Sequence, residues 1–150
     1  MILIERTYRE TELPESARAY ARDTITLGWE ERLHAHGRRT SDAGVEFGVS
    51  LPRGTALHGG DCLVLEEARV IVGVVERTEA VFVIEPRSAQ QWALYAYHIG
   101  NRHQPVMITD KTIVCPEAPG VEQLLHQQRI PYTRSMLAFT PATAVAAHHH

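Results

Sequence analysis

A change of hydrophobic period near residue 76 limits the folds open to this chain more than any other feature of its sequence. Beyond it, residues 81–84 (VFVI) form an unbroken apolar run of strand length, as in a strand covered on both faces, and Pro86 closes it. Ser88 then offers a helix N-cap, with Ala89, Trp92, Ala93 and Ala96 at helical spacing. Gly100-Asn101 supply a stop, since both tolerate left-handed backbone. Residues 106–108 and 112–114 flank Asp110-Lys111 as a tight hairpin. Pro119 opens a second helix with Val121, Leu124 and Leu125 on one side, and residues 132–139 make a last strand. Strand, helix, strand, strand, helix, strand is the order of a ferredoxin-like domain.

Ahead of residue 76 the period is two. Val45, Phe47, Val49 and Leu51 alternate with Glu46, Gly48 and Ser50, which puts one strand face on a core and the other in water. Short apolar segments at 2–4, around Ile25 and Leu27, at 62–65 and at 70–75 add further strands, and this spacing predicts a small sandwich or open barrel. The expected fold class is α+β. A small β domain spans 1–75, a ferredoxin-like βαββαβ domain spans 76–140, and a disordered, histidine-containing tail spans 141–150, where PATAVAAHHH shows no periodicity. Domains this small bury proportionately little surface, and dimerisation is one way to make up the deficit.

Composition removes several functions. The net charge is −3 and no basic run stands out, so nucleic acid is not an expected partner. No apolar stretch approaches the roughly 20 residues of a membrane span. Residues 1–15 lack the apolar core of a secretory signal, and Cys62 and Cys115 have no CxxC spacing, so the chain reads as cytoplasmic with reduced thiols. No zinc-protease motif, phosphate-cradling glycine loop or nucleophile elbow is present, and no catalytic residues are assigned: the expectation is a protein that is not an enzyme.

Histidine is the compositional oddity, with nine in 150 residues, and it is the commonest metal ligand among side chains. His98 and His103 bracket the end of the first helix of the second half. In a continuous helix, residues five apart sit about 140° apart and cannot share a metal. The break at Gly100-Asn101 instead sets His103 on a surface corner. A lone histidine near a helix end more often partners the helix dipole than binds metal. His148, His149 and His150 are either natural ligands or the remnant of a tag. His34 and His36, two apart near a strand end, His58 beside a turn and His126 on the second helix read as polar surface. Trp92 and Tyr95 read as core or dimer contacts.

The stretch Tyr97-His98-Ile99-Gly100-Asn101-Arg102-His103, followed by Pro105 and an apolar strand, resembles the signature of the urease accessory protein E family. Residues 44–54 (GVEFGVSLPRG) and Gly60-Asp61 are similar to that family's N-terminal domain, and the likeness spans roughly residues 1–140. The resemblance implies a peptide-binding-like β domain and a ferredoxin-like metal domain that forms a homodimer. It also implies a nickel metallochaperone, delivering nickel for maturation of the urease active site through an accessory GTPase and the urease pre-activation complex. By the same resemblance, His103 meets its symmetry mate at the dimer interface, with Gly100, Asn101 and Arg102 positioning it. His148, His149 and His150 would join it as ligands, and His98 would be a secondary one. Two imidazoles also suit zinc or copper in vitro. Where some members carry a further histidine pair, this chain reads Cys115-Pro116-Glu117-Ala118-Pro119. Cys115 and Glu117 stay outside the ligand set, because a cysteine closing a strand usually packs as a small hydrophobe. The competing reading is a peptide- or protein-binding scaffold whose histidines are incidental.

Overall fold

The structure is a computed structural model that describes residues 1–147, with side chains described through Ala144. The chain divides into two compact units, Met1–Arg77 and Thr78 onward.

The first unit holds β1 (Leu3–Ile4), β2 (Ala21–Leu27), a short helix α1 (Trp29–Leu33), β3 (His36–Thr40), β4 (Glu46–Ser50), β5 (Cys62–Leu65) and β6 (Val70–Glu76). They build two three-stranded sheets, β1-β4-β3 and β2-β6-β5, each with one parallel and one antiparallel pairing. Phe47 and Val49 are buried, as the alternation in β4 requires, but Gly48 on the face expected in water is buried too, beside the Met1 and Leu3 side chains. Phe47 and Val49 join Ile4, Ile25, Leu27, Leu63, Leu65, Val72 and Val74 in one apolar cluster between the sheets. A fully buried side chain of the size of Phe47 contributes about 1.5–3 kcal/mol by leaving water. The reverse face of the second sheet is covered too. Cys62, Val64 and Ile71 pack with Leu13 and Ala17 from two 3-10 turns at Glu10–Glu12 and Glu15–Ala17. Burial on both faces is why β5 and β6 read as continuous apolar runs rather than as alternation.

Strands β2 and β3 are edge strands, and the outer edge of β2 is filled from within the unit. The carbonyl of Thr24 accepts from the Asp42 N–H at 2.8 Å. The Asp42 carboxylate accepts from the Thr24 and Thr26 hydroxyls at 2.6 and 3.1 Å, and the Thr26 carbonyl accepts from Arg77 at 3.1 Å. Such fillers keep an edge from pairing with another chain.

The second unit runs β7 (Thr78–Ile84), α2 (Ala89–Gly100), β8 (Met107–Ile108), β9 (Ile113–Pro116), α3 (Val121–Gln127) and β10 (Thr133–Ala138). Its antiparallel sheet has the order β10-β7-β9-β8, which is the ferredoxin-like arrangement. Phe82, Ile84, Ile113 and Cys115 line one face of the sheet and pack with Tyr95 and Ile99 from α2 and Val121 and Leu125 from α3. The buried stripe of α2 differs in detail from the expected one. Trp92, Tyr95 and Ile99, at helical spacing, meet the core, while Ala93 and Ala96 are exposed. Large side chains remove more apolar area from water than alanines do, and they set the rotation of the helix. Trp92 and Tyr95 are thereby core residues.

The tail also differs from its expectation over its first part. Residues Ala142–Ala147 form a short helix, α4, in place of irregular chain. Its start is fixed by a hydrogen bond from the Ala142 N–H to the Val106 carbonyl at 2.7 Å, and Pro141 and Ala144 are buried. Alanine-rich chain has high helix propensity, and no amphipathic period is needed over so few residues. His148, His149 and His150 lie outside the described residues.

Candidate metal centre

Helix α2 starts at Ser88, whose hydroxyl accepts from the Gln91 N–H at 3.1 Å, while the Gln91 side chain accepts from the Arg87 N–H at 2.8 Å. The helix is thus fixed at its N-terminus by paired capping bonds. Its other end carries the candidate site. Gly100-Asn101 do not make the left-handed stop expected of them. Asn101 is right-handed, with φ −64° and ψ −20°, and the helical course continues to Arg102, whose N–H bonds to the Ile99 carbonyl. The reversal falls on His103 itself, at φ +55°, with its N–H bonded to the Gly100 carbonyl at 2.9 Å.

Left-handed backbone costs a side-chain-bearing residue about 1–2 kcal/mol relative to the right-handed form. Asn, Asp and His accept it more often than other residues, and glycine is the usual occupant of a helix-ending position. Such strain at an exposed position is a pointer to function rather than to packing. His103 is exposed, as are Gly100, Asn101 and Arg102. Arg102 bonds through its guanidinium to the Gln127 side chain at 3.2 Å, tying the end of α2 to the end of α3. Asn101 contributes its N–H, bonded to the Tyr97 carbonyl; no side-chain hydrogen bond of Asn101 is present among the described residues.

His98 is half-buried in the last turn of α2, with the Tyr97 ring edge-on at 5.4 Å between centroids. The other described histidines lie elsewhere. His126, on α3, stands 2.9 Å from the Tyr132 hydroxyl, which bonds in turn to Glu122. That hydrogen bond from Tyr132 is the main cause holding the Glu122 carboxyl below its ordinary range, with Arg134 adding to it. Cys115 is fully buried in the core, where burial pushes its thiol up to about 12. Glu117 is bound to Arg134. Among the described residues, no three metal-donating side chains converge.

Periodicity could have yielded one further feature. Leu94 and Tyr97, 48% and 64% exposed, follow the i, i+3 spacing on the solvent side of α2. Asn101 continues the same stripe, so an exposed apolar strip leads along the helix to the corner at His103. Once Trp92, Tyr95 and Ile99 are assigned to the core, Leu94 and Tyr97 are the large apolar side chains left on the surface of α2.

The fold and the corner define a two-domain α+β protein: a β sandwich followed by a ferredoxin-like unit with a histidine at a helix end. Comparison with known families gives the particular identity. Residues 4–76 match the N-terminal domain of the UreE urease accessory protein, and residues 79–150 match its C-terminal domain. The chain belongs to the UreE family, whose part is in urease maturation. Relatives named urease accessory protein UreE include one from Nostoc punctiforme, 29% identical over 91% of this chain and 93% of its own length. Those from Citrobacter koseri and Bacillus cereus are 31% and 30% identical over 85% of this chain, covering 87% and 84% of their own lengths. Among the described residues, no helix is long and apolar enough to cross a membrane.

Proposed function

We propose that this chain is a cytoplasmic nickel metallochaperone acting as a homodimer. One His103 from each protomer holds the metal, and the ion passes to urease by way of the accessory GTPase and the pre-activation complex. The observation that carries the proposal is the left-handed, exposed backbone of His103 at the end of the Leu94–Tyr97 strip. Exposed apolar residues that lead to a candidate ligand suit a two-fold contact, and a ligand near a two-fold axis is duplicated without any further sequence requirement. Nickel accepts imidazole nitrogen, and zinc or copper would compete for the same pair in vitro.

A shell of two histidines leaves positions open. His148, His149 and His150 complete it in this proposal, with His98 secondary, and a receiving protein's ligands enter as they leave. Such a site releases metal faster than a closed structural one. The test is nickel calorimetry, with light scattering, on a chain ending at Ala147. The expected result is one tight nickel per dimer, abolished by His103→Ala, with the dimer retained. One nickel per chain, or tight binding that survives the substitution, overturns the shared site.

A further inference from the structure

We propose that the cleft between β2 and β3 of the first unit binds carboxylates, and that its ligand is an extended acidic segment of a protein partner. The cleft is about 330 Å³ and is lined by Thr26, Glu31, Arg38, Arg39, Asp42 and Arg77, among others. It lies outside the candidate metal centre and does not rest on the nickel reading.

The hydrogen-bond register decides what the β3 edge offers. The Leu51 N–H bonds to the Ala35 carbonyl and the Ser41 N–H to the Val45 carbonyl, both at 2.8 Å. Odd-numbered residues of this segment therefore face β4, and the N–H groups of His36, Arg38 and Thr40 point away from it. On that same outer edge, the carbonyls of His34 and Arg38 accept from the Arg39 guanidinium at 3.1 and 2.8 Å. Gly37 permits this: a Cβ there would stand 2.8 Å from Arg39 Nη1. Arg39 Nε is buried without a partner. The edge is thus weighted toward donors, unlike the filled edge of β2.

Charge points the same way. Glu31 accepts from the Gly28 N–H and from Arg77, and Asp42 accepts from the two threonine hydroxyls. These bonds hold both carboxyls below their ordinary range. Among the described residues, no carboxylate forms an ion pair with Arg38 or Arg39. Glu31 lies near enough to Arg39 for that charge to help lower its carboxyl, and Arg39 gives two of its N–H groups to backbone carbonyls. Arg38 therefore carries the guanidinium fork left open to a ligand, for which carboxylate is the best fit. The outward N–H groups repeat every second residue, about 6.6–6.8 Å along a strand. Acidic side chains at alternate positions of an extended segment repeat at that same interval, whereas one small carboxylate meets only one step of it.

The test is fluorescence anisotropy of an end-blocked, labelled Glu-Thr-Glu-Thr-Glu peptide titrated with the full chain at low salt. Saturable binding is expected, at least tenfold weaker with Arg38→Ala and Arg39→Ala together and unchanged with Arg18→Ala in the same unit. Peptide addition should move the amide resonances of His36, Arg38 and Thr40, and the double variant's own spectrum separates lost binding from lost fold. Arg38→Glu, a change at an exposed position, should shift preference toward the lysine counterpart of the peptide. Absent binding, or equal binding by a folded double variant, overturns the site. Citrate binding as tightly as the peptide assigns the cleft to free small carboxylates and overturns the protein-segment ligand.

Discussion

Replacing His103 in two ways separates the imidazole from the backbone that carries it. At φ +55° the residue pays about 1–2 kcal/mol for its Cβ. His103→Ala keeps the Cβ and the conformation, so stability should stay within about 0.5 kcal/mol of the parent, because the exposed ring packs against no core. His103→Gly relieves the strain but adds about 0.4–1 kcal/mol of chain entropy to the unfolded state. The glycine variant should therefore be up to about 1.5 kcal/mol more stable than the alanine variant, or roughly 3–6 °C in Tm at most for a chain of this length. Gly100 supplies the contrast. It is not left-handed, and a Cβ there meets nothing within 4 Å, so Gly100→Ala should stabilise by about 0.5–1 kcal/mol. Urea melts at one protein concentration, with a chelator present, read all three. Both His103 variants should lose the tight nickel site, and Gly100→Ala should keep it. A glycine variant less stable than the alanine variant would refute the assignment of strain to this position.

Nickel affinity should fall as pH is lowered, because neutral imidazole is the ligand and protons compete for it; a flat profile measured by calorimetry would point to carboxylate ligands. The Asp42 carboxyl is lowered chiefly by its hydrogen bond from Thr24, so Thr24→Val should raise its pKa toward the ordinary value in an NMR titration. Because that pKa is depressed by folding, its contribution to stability is complete above about pH 4 and fades as pH falls through the folded value, a slope that Asp42→Asn should reduce. A chain ending at Ala147 should melt with the full chain. One ending at Thr140 should lose about 1–2 kcal/mol, since it removes the buried Pro141 and Ala144 and the Ala142–Val106 bond.

The periodic parts of the fold were legible. The alternation of β4 and the order of elements from β7 to β10 follow from side-chain patterns that packing itself imposes. Strand β3 was not: HGRRT is polar, contains glycine and has one side unpaired, so no buried face marks it. Helix α1, five residues long, is too short to show a period. At the candidate site the sequence pointed to a corner near His103 but placed the left-handed residue at Gly100-Asn101, by the usual preference of those residue types. The structure instead lets Asn101 and Arg102 continue the helical course, with Arg102 tied to Gln127, and the turn passes to the next residue. Residue preference sets which positions accept a left-handed turn at least cost; tertiary bonds choose among them.

The pairings that close each unit join segments far apart in its own stretch of chain. Leu3 pairs with Gly48 and Ala21 with Val70 in the first unit, and Thr78 pairs with Ala138 in the second. In the first unit these two pairings are parallel and add β1 and β2 to the local antiparallel pairs β3–β4 and β5–β6. Their loops must close before the contacts repay the lost entropy, a topology that folds slowly for its size. During synthesis the sandwich cannot complete until Glu76 has left the ribosome, and one edge of β7, the other being paired by β9, stays open until β10 emerges. Each of the three sheets is built from strands of one unit, so the first unit can finish its sheets while the second is still being made.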